Sequence, residues 1–345
     1  MEDIKSLQLD ELTQKLKDMG QSAFRGKQIY TWLHKRGVKS FDDMTDISKD
    51  LRQKLQESFY INTIEEVTHQ ESSIDGTRKY LFKLRDDSYV ESVLMKYHHG
   101  NSICISSQVG CRMGCKFCAS TIEGLYRSLS ASEMLDQVYE VSRLSGERVS
   151  NIVIMGIGEP MDNFDNVVSF LRIISSEEGF NLSQRNITVS TCGIVERIKE
   201  LADLNLQITL AISLHGSNQK VRESIMPVAR MYSLDQVMDA CKYYFEKTHR
   251  RISFEYALIS GVNDKEENIR ELTELLSGHN CHLNLIPVNP IKERDFAPSS
   301  KEWVYKFQNK LEKNGINVTI RREMGRDIDG ACGQLRRRKM LREEL

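Results

Sequence analysis

Three closely spaced cysteines are the residues of this sequence with the clearest chemical potential. Cys111, Cys115 and Cys118 form a C-x3-C-x2-C loop, and with Cys104 they place four of the eight cysteines within fifteen residues. Such clustering differs from a disulfide framework and, in a reducing compartment, more often binds metal or carries out redox chemistry. A [4Fe–4S] cluster usually takes four cysteines, so three would leave one iron open to a small chelating molecule. The spacing therefore favours an iron–sulfur centre.

Zinc is the alternative for the same loop. A structural zinc ion takes four ligands, and His98 or His99 would complete a Cys3His set with the three thiolates. The chain would then be a zinc-stabilised RNA-binding protein without catalysis, and the cysteine spacing alone leaves both metals open. Cys192, Cys241 and Cys281 belong to no motif and are expected to be buried structural thiols.

A second candidate site follows an apolar stretch in the middle of the chain. The sequence Met155-Gly-Ile-Gly-Glu-Pro160 superficially suggests a dinucleotide-binding turn, but that fingerprint needs a third glycine where Met161 stands. A tight strand-to-helix turn is the plainer interpretation, and its glycines also allow a ligand to approach the backbone. Further candidates at or near predicted strand ends are Ser190, Ser213, Leu214, His215 and Asn289.

Alternating strands and helices must position these residues. After Gly100, short apolar segments predict strands at 103–106, 151–155, 186–190, 207–213, 252–257 and 282–286. Segments with helical periodicity predict helices at 131–144, 165–174, 233–249, 265–276 and 300–314. This alternation implies parallel pairing with right-handed crossovers. The fold class is α/β, either a partial (β/α)6 barrel or an open doubly wound sheet, with the chemistry at the carboxyl ends of the strands.

The chain divides into four predicted parts. Residues 1–62 form a small helical domain, 63–100 a β meander that links it to the main unit, 101–330 the α/β unit, and 331–345 a segment with Cys332 and a basic tail. A lone cysteine is usually a buried apolar residue, but the small neighbours of Cys332 would make exposure of a nucleophilic thiolate easier.

Composition excludes some classes of function. Lys plus Arg (48) and Asp plus Glu (49) nearly cancel, so a polyanionic partner must meet a local basic patch. No run approaches the roughly 18 apolar residues of a membrane-spanning helix, and the first ten residues lack the features of a secretion signal. We therefore expect a cytoplasmic protein that does not associate with membranes. The candidate basic patches are 24–27, 32–36, Arg321 with Arg322 and Arg326, and the tail 336–339 with Arg342.

Taken together, these residues resemble a known family. A C-x3-C-x2-C loop after a first strand is the signature of the radical S-adenosylmethionine (SAM) enzymes, and five further motifs resemble the RlmN/Cfr family of RNA methyltransferases. The resemblance runs from the helical domain to the tail. It implies a partial (β/α)6 radical SAM barrel, preceded by a helical accessory RNA-binding domain and a short β meander. The five motifs are 104–111, 155–160, 213–215, 284–289 and 327–335.

The resemblance also implies cofactors. Cys111, Cys115 and Cys118 would hold a [4Fe–4S] cluster whose open iron chelates SAM. One electron from an external donor, of a flavodoxin-like kind, would cleave SAM to a 5′-deoxyadenosyl radical. The residues that would bind SAM are Gly158, Glu159, Ser190, Ser213, Leu214, His215 and Asn289.

Three further residues match family positions with roles in methyl transfer. The resemblance makes Cys332 the methyl carrier and Cys104 the cysteine that resolves the covalent enzyme–RNA adduct, with a transient Cys104–Cys332 disulfide. It makes Glu91 the proton acceptor. The implied substrates are adenine 2503 of 23S rRNA and adenine 37 of certain tRNAs, and the enzyme is expected to be a monomer.

The position of the new methyl group is the remaining question. Pro160, directly after Glu159, resembles the branch of the family that forms 2-methyladenosine. In contrast, the stretches 118–121 and 124–125 partly resemble the Cfr branch, which methylates carbon 8. We expect methylation at carbon 2, with carbon 8 as the alternative.

Overall fold

The structure is a computed structural model that describes residues 1–98, 100–288, 294–329, 333, 335, 336 and 339. No helix among these residues is long and apolar enough to cross a membrane. The helices are α1 (Leu9–Asp18), α2 (Ala23–His34), α3 (Lys49–Ser58), α4 (Ala131–Ser145), α5 (Phe164–Ser175), α6 (Val195–Asp203), α7 (Gln219–Ile225), α8 (Leu234–Thr248), α9 (Glu266–Leu276) and α10 (Lys301–Lys313). The strands are β1 (Glu2–Asp3), β2 (Phe59–Tyr60), β3 (Glu65–Glu71), β4 (Arg78–Lys83), β5 (Tyr89–Tyr97), β6 (Gly100–Cys104), β7 (Gln108–Gly110), β8 (Leu125–Ser128), β9 (Val149–Ile154), β10 (Ile187–Thr191), β11 (Thr209–Ser213), β12 (Ile252–Leu258), β13 (Cys281–Pro287) and β14 (Val318–Ile320).

A ten-stranded sheet organises the molecule, in the spatial order β3-β4-β5-β6-β9-β10-β11-β12-β13-β14. From β6 to β14 the strands pair in parallel, and their order in space follows their order in the chain. A doubly wound sheet reverses its strand order at a switch point, so that alternative is wrong. The partial barrel is confirmed, and β14 adds a parallel strand to the six that the sequence predicts.

Hydrophobic periodicity locates the parallel strands closely. The six predicted strands are β6 and β9 to β13, with ends that differ from the predictions by at most three residues. The five predicted helices are α4, α5, α8, α9 and α10. The prediction missed the helices α6 and α7, which have nine and seven residues, and the strands β7, β8 and β14, which have three, four and three, and all of them leave little room for a clear period.

Strands β3 to β5 extend the same sheet with antiparallel pairs, and β5 also pairs antiparallel with β6. The chain returns to this half of the sheet near its end. We call the described residues 324–329, 333, 335 and 336 the C-terminal segment. The Gly325 amide donates to Asp75 at 2.9 Å, and the Asp327 carboxylate accepts from the hydroxyls of Ser72 and Ser73 at 2.5 and 2.9 Å. The turn between β3 and β4 therefore binds the start of the segment.

A buried ion pair fastens the N-terminal helical domain to the barrel. Lys5 Nζ lies 2.6 Å from Asp136 of α4 and donates to the Asn62 carbonyl at 2.6 Å. Nearby, the His34 ring of α2 is hydrogen-bonded to the Tyr139 hydroxyl of α4 at 3.1 Å. We call these five residues the N-terminal joint. Because the apolar core runs continuously from the helical domain into the barrel, the joint lies within packed structure.

Candidate functional site

A cavity lies at the carboxyl ends of the parallel strands, where this architecture places its chemistry. Met155 follows β9, Ser190 and Thr191 end β10, Ser213 ends β11, and Pro287 ends β13, and all of them line the cavity. Residues from the two motifs of the sequence analysis meet there. The predicted site residues in its wall are Cys111, Cys115, Cys118, Gly158, Glu159, Ser190, Ser213 and His215.

Two glycines fix the loop that carries the three cysteines. The Cys111 amide donates to the Gly124 carbonyl at 2.8 Å, and a β-carbon at Gly110 would stand 2.0 Å from that same oxygen. Gly110 and Gly124 both have positive φ angles, 79° and 72°, which glycine adopts without steric cost. The Thr121 hydroxyl donates to the carbonyls of Cys115 and Cys118 at 3.0 and 2.9 Å. The loop therefore presents its thiols from a backbone held at both ends.

Burial makes two thiols of this loop harder to ionise. Loss of hydration raises the pKa of Cys111 to about 12, and it also raises the pKa of Cys115. Metal binding requires thiolates, so ligation would release protons from the loop. Among the described residues, no three His, Cys, Asp or Glu side chains are arranged as ligands of a single metal ion.

The zinc alternative depends on a histidine at the far end of β6. His98 precedes this five-residue strand, whereas the cysteine loop follows its carboxyl end. A strand of that length spans about 16 Å, so His98 is too distant to complete a Cys3His set. His99, the other histidine of that prediction, lies outside the described residues.

The glycines after β9 are required by the packing of the chain itself. A β-carbon at Gly158 would lie 2.5 Å from Cβ of Gln108, and one at Gly156 would lie 2.6 Å from the Ile105 carbonyl oxygen. Gly158 also has a φ of 107°. The tight turn that the sequence favoured over a dinucleotide fingerprint thus brings the chain after β9 against β6 and β7.

That turn places a buried carboxylate in the cavity wall. One oxygen of Glu159 accepts the Met161 amide at 3.0 Å and the other accepts the Cys192 amide at 2.8 Å. Burial raises its pKa, which these hydrogen bonds oppose. A buried carboxylate held in this way suits a cationic group of a ligand, such as an ammonium.

His215 has an unusual backbone and a defined tautomer. Its φ is 52°, and its Nδ1 accepts the Ala257 amide at 2.9 Å, so Nε2 carries the proton of the neutral ring. Burial lowers the pKa of His215 to about 3, with a smaller contribution from the Arg222 guanidinium. The ring lies edge-on to Phe117 of the cysteine loop, with centroids 4.7 Å apart. His215 therefore offers a neutral donor at the cavity.

Leu214 differs from its neighbours among the predicted SAM-binding residues. It is fully buried and is not among the lining residues of the cavity that the structure describes. Its amide donates to the Glu255 carbonyl at 3.0 Å, and its own carbonyl accepts from the Arg222 side chain at 3.2 Å. These backbone hydrogen bonds of Leu214 fix the position of the chain that follows β11.

Sequence reasoning missed Glu255, which lines the cavity from β12. Burial raises the pKa of this carboxyl group, and its oxygens accept from Asn284 at 2.9 Å and Ser253 at 3.3 Å. Arg321, predicted only as part of a basic cluster, lines the same wall. The available signal was the alternation in β12, because Ser253, Glu255 and Ala257 share one face. Cys192, predicted to be a buried structural thiol, is buried and also lines the cavity.

Glu91 and Cys104 lie beside the cavity, not among its described lining residues. Cys104 pairs across strands with Val93, and Glu91 precedes Val93 by two residues, so the three side chains share one face of the sheet. Cys104 is buried among apolar residues that include Met324 of the C-terminal segment and Met155 of the cavity wall. Asn289 and Cys332 lie outside the described residues.

The predicted basic stretches of the helical domain are only partly exposed. Trp32 and His34 are buried, and the Trp32 ring donates to Asp46 at 2.5 Å. Lys27 is exposed but lies 2.6 Å from Glu178. Arg36 is exposed and its guanidinium lies over the Trp32 ring, 3.9 Å from the centroid.

Two family models match the chain. Residues 105–273 match the Radical SAM superfamily, whose members use a [4Fe–4S] cluster and SAM, and residues 2–61 match the ribosomal RNA large subunit methyltransferase N-terminal domain. The first match contains the cysteine loop and the turn after β9. The second coincides with the helical domain.

Whole-length relatives agree with these matches. The chain is 62% identical over 340 residues to a probable dual-specificity RNA methyltransferase RlmN of Lachnospira eligens, covering 99% of this chain and 97% of the relative. It is 61% identical to the protein of the same name from Lachnoclostridium phytofermentans, covering 97% and 94%. The crystal structure of a radical SAM methyltransferase from Sphaerobacter thermophilus superposes with a TM-score of 0.91 at 40% identity, covering 97% of this chain and 99% of that one. The chain therefore belongs to the RlmN family of radical SAM RNA methyltransferases.

Proposed function

We propose that this enzyme forms 2-methyladenosine, at adenine 2503 of 23S rRNA and at adenine 37 of certain tRNAs, through a methylated cysteine and a covalent enzyme–RNA intermediate. The observation that carries the proposal is that the three cysteines of one loop line the same strand-end cavity as Glu159, Ser213 and His215. Gly333, which follows Cys332 in the sequence, lies against the end of that loop, because a β-carbon there would be 3.3 Å from Cβ of Ala119.

The residues in the cavity fit the family's cofactors by the chemistry of their donors. Cys111, Cys115 and Cys118 supply three soft sulfur ligands from one loop, which suits an iron–sulfur cluster with one iron left for SAM. Glu159 and the residues after β10 and β11 offer a carboxylate, hydroxyls and a neutral imidazole N–H for the polar groups of SAM. When bound, the cluster and SAM together supply a 5′-deoxyadenosyl radical.

The proposed use of two cysteines follows from the substrate. Carbon 2 of adenine lies between two ring nitrogens and has no nucleophilic electron pair, so direct attack on the SAM methyl group would be very slow. In the proposed route the Cys332 thiolate first takes a methyl group from SAM. That S-methyl group then loses a hydrogen atom to the 5′-deoxyadenosyl radical, and the resulting carbon radical adds to carbon 2 and joins the RNA to the protein.

Release of the product needs a base and a second thiol. Glu91 is proposed to take the proton from carbon 2 while the adduct radical gives one electron to an external one-electron carrier, and the Cys104 thiolate to attack the Cys332 sulfur. Breakage of the carbon–sulfur bond leaves its electron pair on the methylene carbon, which takes up a proton to give methyladenosine, and a Cys104–Cys332 disulfide remains. The packing of Met324 against the cluster of Val93, Met95 and Cys104 supports this assignment, because it brings the C-terminal segment to the face of the sheet that carries Cys104.

The proposed substrate form is a loop or single strand, because the adenine must leave its stack to reach a cavity of this kind. An external one-electron donor, such as a flavodoxin, is required in the proposed reaction. We also propose that the enzyme acts as a monomer in the cytoplasm and that residues 1–62 serve as the accessory RNA-binding domain.

Mass spectrometry of the product nucleoside tests the proposal. The reconstituted enzyme, with SAM, reductant and either 23S rRNA or tRNA transcripts, should produce 2-methyladenosine. A product methylated at carbon 8 would show that carbon 8, and not carbon 2, is the reacting position. Unmodified RNA after reaction with an enzyme whose cluster is intact would contradict the proposed activity. The Cys104→Ala variant should accumulate a protein–RNA crosslink, whereas freely released product would contradict the resolving role.

A further inference from the structure

A buried ion pair joins two strands of the antiparallel half of the sheet. Lys79 of β4 and Glu91 of β5 have side chains that are 0% and 4% exposed, and Lys79 Nζ lies 2.9 Å from a Glu91 oxygen. The C-terminal segment contacts both side chains, so residues that lie about 240 positions later in the chain help to bury the two charges.

Both members of the pair bind the backbone of the C-terminal segment. The ammonium group of Lys79 donates to the Asp329 carbonyl at 2.6 Å. The two oxygens of Glu91 accept the amides of Gly333 and Arg336 at 2.7 and 2.6 Å. The pair therefore grips the chain three residues before Cys332 and one residue after it.

These contacts fix the segment at the cysteine loop. Gly333 stands against Ala119 and Ser120, the residues that follow Cys118, and its φ of 79° suits the close approach. The Arg336 guanidinium lies 3.2 Å from Glu123 in the same loop. Gly333 directly follows Cys332 in the sequence.

We propose that Lys79 and Glu91 form a clamp that orders the C-terminal segment and so positions Cys332 for methyl transfer. Lys79 is a positioning residue that acts through Glu91 and the segment backbone. The clamp also gives Glu91 a role besides that of proton acceptor. Both of its oxygens bind the C-terminal segment. This inference rests on the proposed function, since it assumes that Cys332 carries the methyl group.

The alternative is that the pair only stabilises the sheet. Its geometry argues against this, because the β4–β5 ladder is complete without the pair and three of the pair's hydrogen bonds go to the distant backbone. Hydrogen bonds to charged groups are stronger than neutral ones, so the grip depends on the two charges.

Hydrogen exchange of the full-length protein with its cluster tests the ordering role. In Lys79→Met and in Glu91→Gln, the amides of Gly333 and Arg336 should exchange about tenfold faster or more, as expected for losing a hydrogen bond to a charged group. Lys83→Met is the matched control, because Lys83 lies on the same strand and pairs with Asp87 at the surface. Wild-type exchange in folded Lys79→Met and Glu91→Gln would overturn the clamp.

A double variant guards against misfolding. Removing one partner leaves an unpaired buried charge, whereas Lys79→Met with Glu91→Gln removes both charges and should keep the fold. The clamp predicts fast exchange in this variant too, because the substituted amide side chain has only one acceptor oxygen in place of the two of the carboxylate. Slow exchange in the double variant would assign the ordering of the segment to other contacts.

The positioning role has its own readout. Peptide 327–336 reports the methylation of Cys332, and 5′-deoxyadenosine reports the cleavage of SAM. In Lys79→Met, methylation of Cys332 should fall at least about tenfold while abortive SAM cleavage persists. Equal loss of both, or normal methylation despite fast exchange, would overturn the positioning role. An unmethylated Cys332 in the wild type would instead overturn the proposed function, while the exchange rates still decide whether the pair orders the segment.

Discussion

Two buried ion pairs among the described residues, Lys5 with Asp136 and Lys79 with Glu91, have the same chemistry in different structural settings. In the N-terminal joint, Lys5 and Asp136 are both about 4% exposed, and Asn62 binds both of them. In the clamp, Lys79 and Glu91 are equally buried, but their other partners are the backbone groups of a segment near the end of the chain. The first pair joins the N-terminal helical domain to the barrel, and the second holds the C-terminal segment against β4 and β5.

This difference affects how each region can respond when a charge is lost. Around the N-terminal joint, helices and barrel share one continuous core, so water cannot reach an unpaired charge without disrupting packed structure. No described residue of the C-terminal segment belongs to the sheet, so we expect the segment to separate from β4 and β5 while the sheet remains paired and to expose the charge to water. Local opening should therefore limit the loss of stability when a charge of the clamp is removed, but not when a charge of the N-terminal joint is removed.

The largest expected effect is the loss of the joint's cation. Lys5→Met leaves Asp136 buried without its ammonium partner and should lower the free energy of unfolding by about 3–5 kcal/mol. Lys79→Met should lower it by less, because the segment can open and hydrate Glu91. Urea unfolding of the two variants measures both. Equal losses in the two variants would show that the clamp belongs to the cooperative core and would remove the distinction.

A pH titration should reveal a second property of the joint. Burial lowers the pKa of His34 to about 3, with a smaller contribution from the charge on Lys5. This folded-state pKa lies below the ordinary value near 6.5. The neutral ring therefore contributes its full stability above pH 6.5, and this contribution is lost as the pH falls toward 3. Between pH 6.5 and 5 the wild type should lose about 2 kcal/mol that His34→Asn does not lose.

Asp136 has the opposite pH dependence in the same joint. Its burial outweighs the attraction of Lys5 and raises its pKa to about 6, so its contribution is complete below the ordinary pKa of an aspartate and is lost as the pH rises through 6. This effect is common to the wild type and His34→Asn and cancels in their difference. Parallel stability curves for the two proteins from pH 8 to 5 would contradict the assignment to His34.

The barrel could be predicted from the sequence, because the sequence signals of its strands and helices are local. Each parallel strand is a short apolar run followed by a helix, and parallel strands bring their carboxyl ends to one edge. Residues near those ends, such as Ser213 and His215, were therefore predictable as neighbours of the cysteine loop. Glu255 was missed because the alternation in β12 places Ser253, Glu255 and Ala257 on one face without showing whether that face lines the cavity.

The clamp could not be predicted in the same way. Lys79 begins the run Lys79-Tyr-Leu-Phe-Lys83, in which either lysine could be the solvated end of a strand. In the structure Lys79 is fully buried and Lys83 is partly exposed. The distinction comes from the C-terminal segment, whose contact with β4 closes a loop of about 250 residues. Sequence periodicity does not contain information of that range.

A smaller effect is expected from the glycine that follows Cys332. Gly333→Ala adds a β-carbon 3.3 Å from Ala119 at a φ of 79°, a conformation that alanine adopts with about 1–2 kcal/mol of strain. The segment should loosen, with faster exchange at Arg336 and little change in global unfolding. Gly315→Ala is the control, because Gly315 has a φ of 83° but a β-carbon there would have no atom within 4 Å. Its strain should lower global stability and leave exchange at Arg336 unchanged.

The smallest expected effect is at the rim of the clamp. Arg336 and Glu123 form an ion pair with side chains 11% and 40% exposed, and such pairs contribute about 0–1 kcal/mol. Arg336→Gln should therefore accelerate exchange of the Gly333 amide by less than about fivefold, since the backbone amide at position 336 still donates to Glu91. A double-mutant cycle with Glu123→Gln isolates the pair from other changes. If Arg336→Gln loosened the segment as much as Lys79→Met, the rim pair would hold Cys332 in place, and the buried charges of the clamp would be no more important than an exposed contact.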